Sequence, residues 1–139
     1  MLCDIGIKAV RADADPELVY HIVKWCDENY DRFKDAHPTL SGMSLEMLLR
    51  VIGISFVPVH EGTIRYLKEK GLWTDAHEVR NQANIELMTR WCEAYETAID
   101  RADEKGISVD PKNEEWIEPW ENYEKELGLP RFTTFPGLD

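Results

Sequence analysis

The clearest hydrophobic pattern in the chain predicts an amphipathic helix that begins near residue 16 and ends before Pro38. Asp15 is placed to cap its first turn, and Pro16 suits the first helical position, where its missing N–H would have no intrahelical partner. The residue before a proline is driven out of the helical region, so Pro38 limits the helix. The apolar positions recur at intervals of three and four, as on one helix face; they are Leu18, Val19, Ile22, Val23, Cys26, Tyr30 and Phe33.

Residues 57–73 predict a second, shorter helix with well-marked ends. His60 and Glu61 form a polar lead-in to an apolar face that includes Leu67. An anion held at this helix start is one interpretation of the pair, but a polar N-terminal cap is the interpretation we favour. Lysines in the last turn suit the negative end of the helix dipole, and Gly71 follows as a left-handed stop.

The longest helical pattern begins at Thr74, which is placed as its cap, and continues to about Glu104, with Gly106 closing it. A helix of this length spans roughly 45 Å, more than the width of a compact domain of this size. We therefore expect part of it to project or to pack against another chain. Its apolar positions follow i+4 steps and are Val79, Ala83, Leu87, Trp91, Tyr95 and Ile99.

A last helix is predicted after Asn113, which can cap it, and before Gly128, which stops it. Pro119 lacks the N–H that a helix interior needs, so we expect it in the first turn or at a break that splits the helix. Its aromatic stripe consists of Trp116, Trp120, Tyr123 and the aliphatic Leu127.

The remaining patterns favour one or two short strands. Residues 2–10 alternate between apolar and polar side chains, which is typical of a half-buried strand. Residues 52–59 follow a short helix capped by Ser44 and ended by Gly53, and they read either as a second strand or as an extended connector. The predicted fold is therefore mainly α: one domain with a segment of strand and three helices (residues 1–73) and a long-helix extension (residues 74–139).

The net charge of the chain limits the classes of molecule that it can bind. The chain has 139 residues, a formal net charge of −11 and a sequence pI near 4.8. Such an acidic surface repels phosphate backbones, so nucleic acids and anionic membranes are poor candidates. Direct membrane insertion is not expected either, because the longest apolar run, residues 51–59, is far too short and is interrupted by Gly53 and Pro58.

No set of residues converges on catalysis or metal binding. The four histidines are scattered, and the three cysteines, Cys3, Cys26 and Cys92, lie too far apart in sequence for a zinc pattern or a disulfide framework. Free, buried or half-buried thiols are the favoured interpretation, with a disulfide as the alternative. Serines lack a nucleophile context and no glycine-rich phosphate loop occurs. We predict a protein that is not an enzyme and needs no cofactor or metal.

Aromatic residues are the best candidates for a functional surface. The long helix would leave Trp91, Tyr95 and Ile99 exposed in an isolated chain, and Trp116 and Trp120 lie on an acidic helix. Exposed aromatic side chains are enriched at protein interfaces. We therefore expect a homodimer, centred on the long helix rather than on the edge of the strand at residues 3–9. For Trp116 and Trp120, docking of the last helix onto the long one is an equal alternative to an interface.

Several segments together resemble the C-terminal part of the TAXI family of TRAP-transporter solute receptors. They are the run Ala9-Val10-Arg11-Ala12-Asp13, then Leu18-Val19-Tyr20, then His37-Pro38, and finally residues 57–71. Order and approximate spacing agree from about residue 5 to residue 73. Glu61 stands where the family usually has proline, and Leu67 where it often has a second tyrosine.

The resemblance implies a non-catalytic part of a two-lobed periplasmic receptor that passes a small carboxylate solute to the membrane subunits of a sodium-driven transporter. Most of the ligand cleft of such a receptor would lie outside this chain, so no ligand-binding residue is assigned and the solute is unknown. Met1-Leu2-Cys3 leads directly to Asp4 without a signal-peptide pattern, which keeps a cytoplasmic location open beside the periplasmic one. The alternative function is a self-standing helical interaction or oligomerisation module.

Overall fold

The computed structural model describes residues 8–130, in which the chain forms six α-helices and one short 3-10 helix. The α-helices are α1 (Pro16–Glu28), α2 (Tyr30–Phe33), α3 (Leu45–Ile54), α4 (Glu61–Glu69), α5 (Asp75–Glu104) and α6 (Glu114–Leu127); the 3-10 helix, Pro38–Met43, precedes α3. No strand occurs within this range, and the mainly α-helical fold is confirmed.

Local signals predict the starts of α1, α5 and α6 and the end of α4 correctly. The side chains of Asp15, Thr74 and Asn113 accept hydrogen bonds from backbone N–H groups of α1, α5 and α6 at 2.9, 3.3 and 3.2 Å. Gly71 follows α4 with φ of 69°, a left-handed conformation that costs glycine little. Each of these ends depends on residues close in sequence, which is why a pattern can predict it.

Neither of the two predicted strands is present in the described residues. The first lies mostly outside the described residues, and residues 8–10 at its end have no regular structure. The strand interpretation of residues 52–59 is wrong: α3 continues through Gly53 to Ile54, and an irregular connector follows. Pro58 in that connector has no N–H to give to a sheet.

The first predicted helix is also shorter than expected. It ends at Glu28, and Asn29 separates it from α2 with φ of −112° and ψ of 9°. The Asn29 side chain and backbone N–H both donate to the Trp25 carbonyl, at 2.9 and 3.0 Å, which satisfies an open carbonyl at the helix end. The 3-10 helix, Pro38–Met43, lies between α2 and Ser44.

Pro119 lies inside α6, neither in its first turn nor at a break. The prediction was wrong because Pro119 removes only one backbone hydrogen bond from the helix, the one that its N–H would have donated to the carbonyl of Glu115. Packing of the aromatic stripe outweighs it, since Trp116 on the same helix is buried.

Contacts divide the chain into two compact units. The first comprises Met1–Ile54 and Val59–Glu78, and the second comprises Ser55–Pro58 and Val79–Asp139. In the first unit, α4 packs closely on α1. The closest approach is at Gly62, where an added Cβ would lie 2.4 Å from the carbonyl oxygen of Pro16. Next to it, Tyr66 and Leu67 are the most deeply buried large side chains of the described residues.

The core of the second unit lies between α6 and the C-terminal part of α5. Ala98 and Ala102 are buried beneath Trp116, with Ile107 and Trp120 packed around them. Small residues on α5 leave room for the large rings of α6, so this packing requires both the alanines and the tryptophans.

Candidate functional site

The contact surface of α1 and α4 contains a network of polar side chains. Asp27 accepts a hydrogen bond from the Tyr66 hydroxyl at 2.6 Å, and Lys70 Nζ lies 3.2 Å from the same carboxylate oxygen. Burial, and then the hydrogen bond to Asp27, raise the pKa of Tyr66 well above its ordinary value. Tyr66 is therefore a neutral donor rather than a nucleophile.

A second part of the same network surrounds Tyr20. Its hydroxyl donates to Glu69 at 2.5 Å, and the Arg65 guanidinium lies over its ring, 3.9 Å from the centroid. Arg65 also donates to Glu17 at 2.7 Å, which lowers the pKa of that carboxylate. Each charge in this network has a partner of opposite sign, so the network links the two helices.

His60 has the capping role that we favoured. Its Nδ1 accepts a hydrogen bond from the backbone N–H of Gly62 at 3.1 Å, so the ring occupies the place an anion would take at the start of α4. Glu61 is exposed in the first turn of the helix, where a carboxylate suits the dipole.

One face of α1 was misjudged from the sequence. Leu18, Ile22 and Trp25 are 57%, 50% and 56% exposed, whereas Val19 and Tyr20 are buried. Trp25 stacks on Phe33 with ring centroids 5.9 Å apart. The helix is therefore apolar on two sides, and a single hydrophobic stripe could not reveal which side packs against α4.

The five residues expected at an interface meet in the second unit. The Trp91 ring lies 6.2 Å from Trp120, and Tyr95 lies 6.0 Å from Trp116 and 5.3 Å from Trp120. We call Trp91, Tyr95, Trp116, Trp120 and the adjacent Tyr123 the aromatic cluster; Ile99 packs beside it.

Exposure differs sharply among these residues. Trp91 and Trp116 are buried, at 9% and 7%, and the Trp91 indole donates to the carbonyl of Pro130 at 3.0 Å. Tyr95 is 43% exposed, and Trp120 and Ile99 are half-buried. The expectation of an exposed Trp91 was wrong because α6 covers it, whereas Tyr95 remains available to a partner.

Next to the aromatic cluster lies a pocket of about 120 Å³. Arg101 and Lys105 line it from α5 and its end, and Glu115 lines it from α6. The Arg101 guanidinium lies over the Tyr123 ring, 4.3 Å from its centroid. Sequence reasoning missed this pocket, although the steps of three and four from Ala98 through Arg101 to Lys105 place all three on one helix face; the remaining lining residues are Ala98, Ala102, Ile107, Trp116, Pro119, Trp120 and Tyr123.

Other reactive or binding groups do not gather elsewhere in the described chain. Within residues 8–130, no three His, Cys, Asp or Glu side chains are arranged to hold a metal ion. Cys26 and Cys92 are free thiols; Cys26 is half-buried as expected, but Cys92 is exposed, so that part of the expectation was wrong. Burial raises the pKa of Cys26, which disfavours its thiolate; Cys3 lies outside the described residues. No helix in this range is long and apolar enough to cross a membrane.

Comparison with known proteins gives one finding. No curated protein and no solved structure matches the chain. The model of the NMT1-like family, a periplasmic solute-binding type of family, matches residues 4–71, just under half of the chain. This match covers α1 to α4 and ends at Gly71, and all of it except Ser55–Pro58 belongs to the first unit.

Proposed function

We propose that the chain is a non-catalytic part of a solute-binding receptor that serves a TRAP-type transporter of small carboxylate solutes. The observation that carries the proposal is the NMT1-like match over residues 4–71, of which all but Ser55–Pro58 belong to the first unit. The resemblance of residues 57–71 to TAXI receptors supports the narrower assignment to TRAP transport.

The ligand site is incomplete in this chain. A carboxylate solute needs cationic or N–H donors that are not already engaged. In the first unit Arg65, Lys68 and Lys70 pair with Glu17, Glu78 and Asp27 at 2.7, 3.1 and 3.2 Å. On this proposal, other parts of a receptor supply the groups that hold the solute.

The proposed setting is extracellular or periplasmic, as the solute-binding type of family suggests. There the chain would reach the transporter's membrane subunits only as part of a full receptor. The net charge of −11 argues against nucleic acid as a partner.

Two measurements test this function. Calorimetric titration of the chain with glutamate and succinate should give no saturable heat, and saturable micromolar binding would contradict the incomplete site. Sequencing the genomic region around the coding segment should reveal transporter membrane-subunit genes or a receptor reading frame next to it. Neighbouring genes without any transport function would count against the receptor assignment itself.

A second candidate is a helical interaction module that forms a homodimer. It is favoured by Tyr95, a large aromatic residue of the aromatic cluster that remains 43% exposed on the longest helix. A twofold interface would bury this residue in both copies. Sedimentation equilibrium tests the module, because a receptor fragment has no need to self-associate, and a single species at monomer mass would refute the module.

A further inference from the structure

The pocket beside the aromatic cluster has the features of a binding site that the proposed function does not use. We propose that it binds a small monocarboxylic acid with a compact apolar body, such as a single ring. The pocket lies in the second unit and outside residues 4–71. Its ligand is therefore independent of the receptor assignment.

The size of the pocket sets the size of the ligand. Its volume of about 120 Å³ is close to that of an engineered protein cavity of about 150 Å³ that binds benzene. One six-membered ring or a short branched chain fits such a space, whereas a nucleotide or a peptide does not.

The walls favour an apolar body. Trp116 and Trp120 lie nearly parallel, with centroids 6.1 Å apart and 10° between the ring planes. Ala98, Ala102 and Ile107 line the pocket with them. Burying a ring against these surfaces removes apolar area from water, which is the main source of affinity in a small pocket.

The cations determine the charge of the ligand. Arg101 rests its guanidinium face on Tyr123, which leaves the N–H donors in the plane of the group free to bind a carboxylate. Within residues 8–130 neither Arg101 nor Lys105 has an ion-pair partner. Two cations therefore face one acid, Glu115, and the local balance favours an anion although the whole chain is acidic.

Titration of the full chain with sodium benzoate at constant ionic strength tests the proposal. Two-dimensional NMR would follow the indole N–H signals of Trp116 and Trp120, assigned by substitution. We expect saturable shifts of both, with a Kd on the order of 1 mM for a ligand this small. Benzyl alcohol and benzylamine are the neutral and cationic probes of the same ring, and both should bind roughly 2- to 5-fold more weakly, the range for exposed charge pairs. Succinate, which lacks an apolar body, should not shift the two signals.

Two variants distinguish binding in this pocket from a non-specific attraction of benzoate to any exposed arginine. Arg101→Gln should reduce the preference for benzoate over benzyl alcohol, because only Lys105 remains as a cation, while the ring still binds. Arg90→Gln is the matched control, because Arg90 is an exposed arginine of α5 that does not line the pocket, and it should change nothing. Absence of a saturable shift with benzoate at tens of millimolar would overturn the proposal, as it would show the pocket closed or filled by another segment or a second copy. Equal binding of benzylamine, or an unchanged preference in Arg101→Gln, would overturn it as well.

Discussion

Replacing Gly62 with alanine tests the packing of α1 against α4 more directly than any other substitution. A Cβ at this position would lie 2.4 Å from the Pro16 carbonyl oxygen, 2.7 Å from the Tyr20 nitrogen and 2.9 Å from Val19 Cβ. Two of these contacts are backbone atoms, which cannot rotate away as the end of a side chain can. The two helices would have to move apart, and the hydrogen bonds and ion pairs between them would become longer.

Two opposing terms decide the sign of the effect. Alanine is ordinarily more stable than glycine by about 1 kcal/mol in a helix interior, which is an upper limit for Gly62 in the first turn of α4. Overpacking a filled contact costs about 1–3 kcal/mol, and each hydrogen bond to a charged acceptor that is lost costs about 1.5–3 kcal/mol. The donation from Tyr66 to Asp27 is one such bond at this contact. We expect Gly62→Ala to lower the free energy of unfolding by about 2–4 kcal/mol, a large part of the ~5–15 kcal/mol typical of a small protein.

Gly53 provides a matched control for this substitution. It also lies within a helix, α3, but a Cβ there would meet nothing within 4 Å. Gly53→Ala should therefore stabilise the protein, by up to about 1 kcal/mol. Urea unfolding followed by circular dichroism measures both variants, and hydrogen exchange at the amides of α1 and α4 assigns the loss to the first unit. If Gly62→Ala proved as stable as the parent protein, the close packing of α1 on α4 would be refuted.

Three further predictions concern single side chains. Tyr66→Phe should cost about 1.5–3 kcal/mol, because the bond to Asp27 is made at a nearly buried site; Tyr20→Phe, whose acceptor Glu69 is half-exposed, should cost less in the same urea assay. The raised pKa of Tyr66 means that its stabilisation is complete below pH 10.0 and declines as the pH rises through the raised value. Alkaline titration of stability should therefore be flatter in Tyr66→Phe, and an identical slope would contradict the assignment. Tyr95→Glu should convert the proposed homodimer to monomer in sedimentation equilibrium, and no change in mass would exclude Tyr95 from the interface.

The parts of the fold that sequence predicts are those decided locally. Asp15 and Asn113 cap helices through amides two residues away, and Gly71 ends α4 through its own backbone conformation. The break at Asn29 and the continuous helix through Pro119 follow from smaller energy differences. At both positions a continuous and an interrupted helix are nearly equal in free energy by local sequence alone, and tertiary packing decides between them.

Neighbouring residues in the sequence do not indicate which side of α1 packs against α4. Leu18 and Val19 are adjacent apolar residues, yet only Val19 is buried. The outcome depends on Gly62, more than forty positions later, because only a residue without a side chain lets α4 approach the backbone of Pro16 and Tyr20. The donation from Tyr66 to Asp27, 39 residues apart, could not be read from spacing either.

The candidate surface was predicted in part for a physical reason. Large aromatic residues such as Trp116 and Trp120 are recognisable in the sequence as candidates for a contact surface. In the structure they lie in one cluster. Their exposure could not be predicted, because it depends on how α6 lies on α5. The role of Arg101 was missed for the same reason: an arginine in a last helical turn is explained by the helix dipole until Tyr123 is found beneath it.

The distribution of paired charges links the two proposals. In the first unit, Arg65, Lys68 and Lys70 are held by carboxylates of the same unit, so an anionic solute would have to displace an existing ion pair to bind there. In the second unit, Arg101 and Lys105 have no such partner within the described residues and border an apolar pocket. Under the proposed function, the stretch that matches a solute-binding family would rely on groups outside it to hold a solute. The stretch beyond residue 71, which that match does not reach, already contains both the cations and the apolar walls that a small carboxylic acid requires.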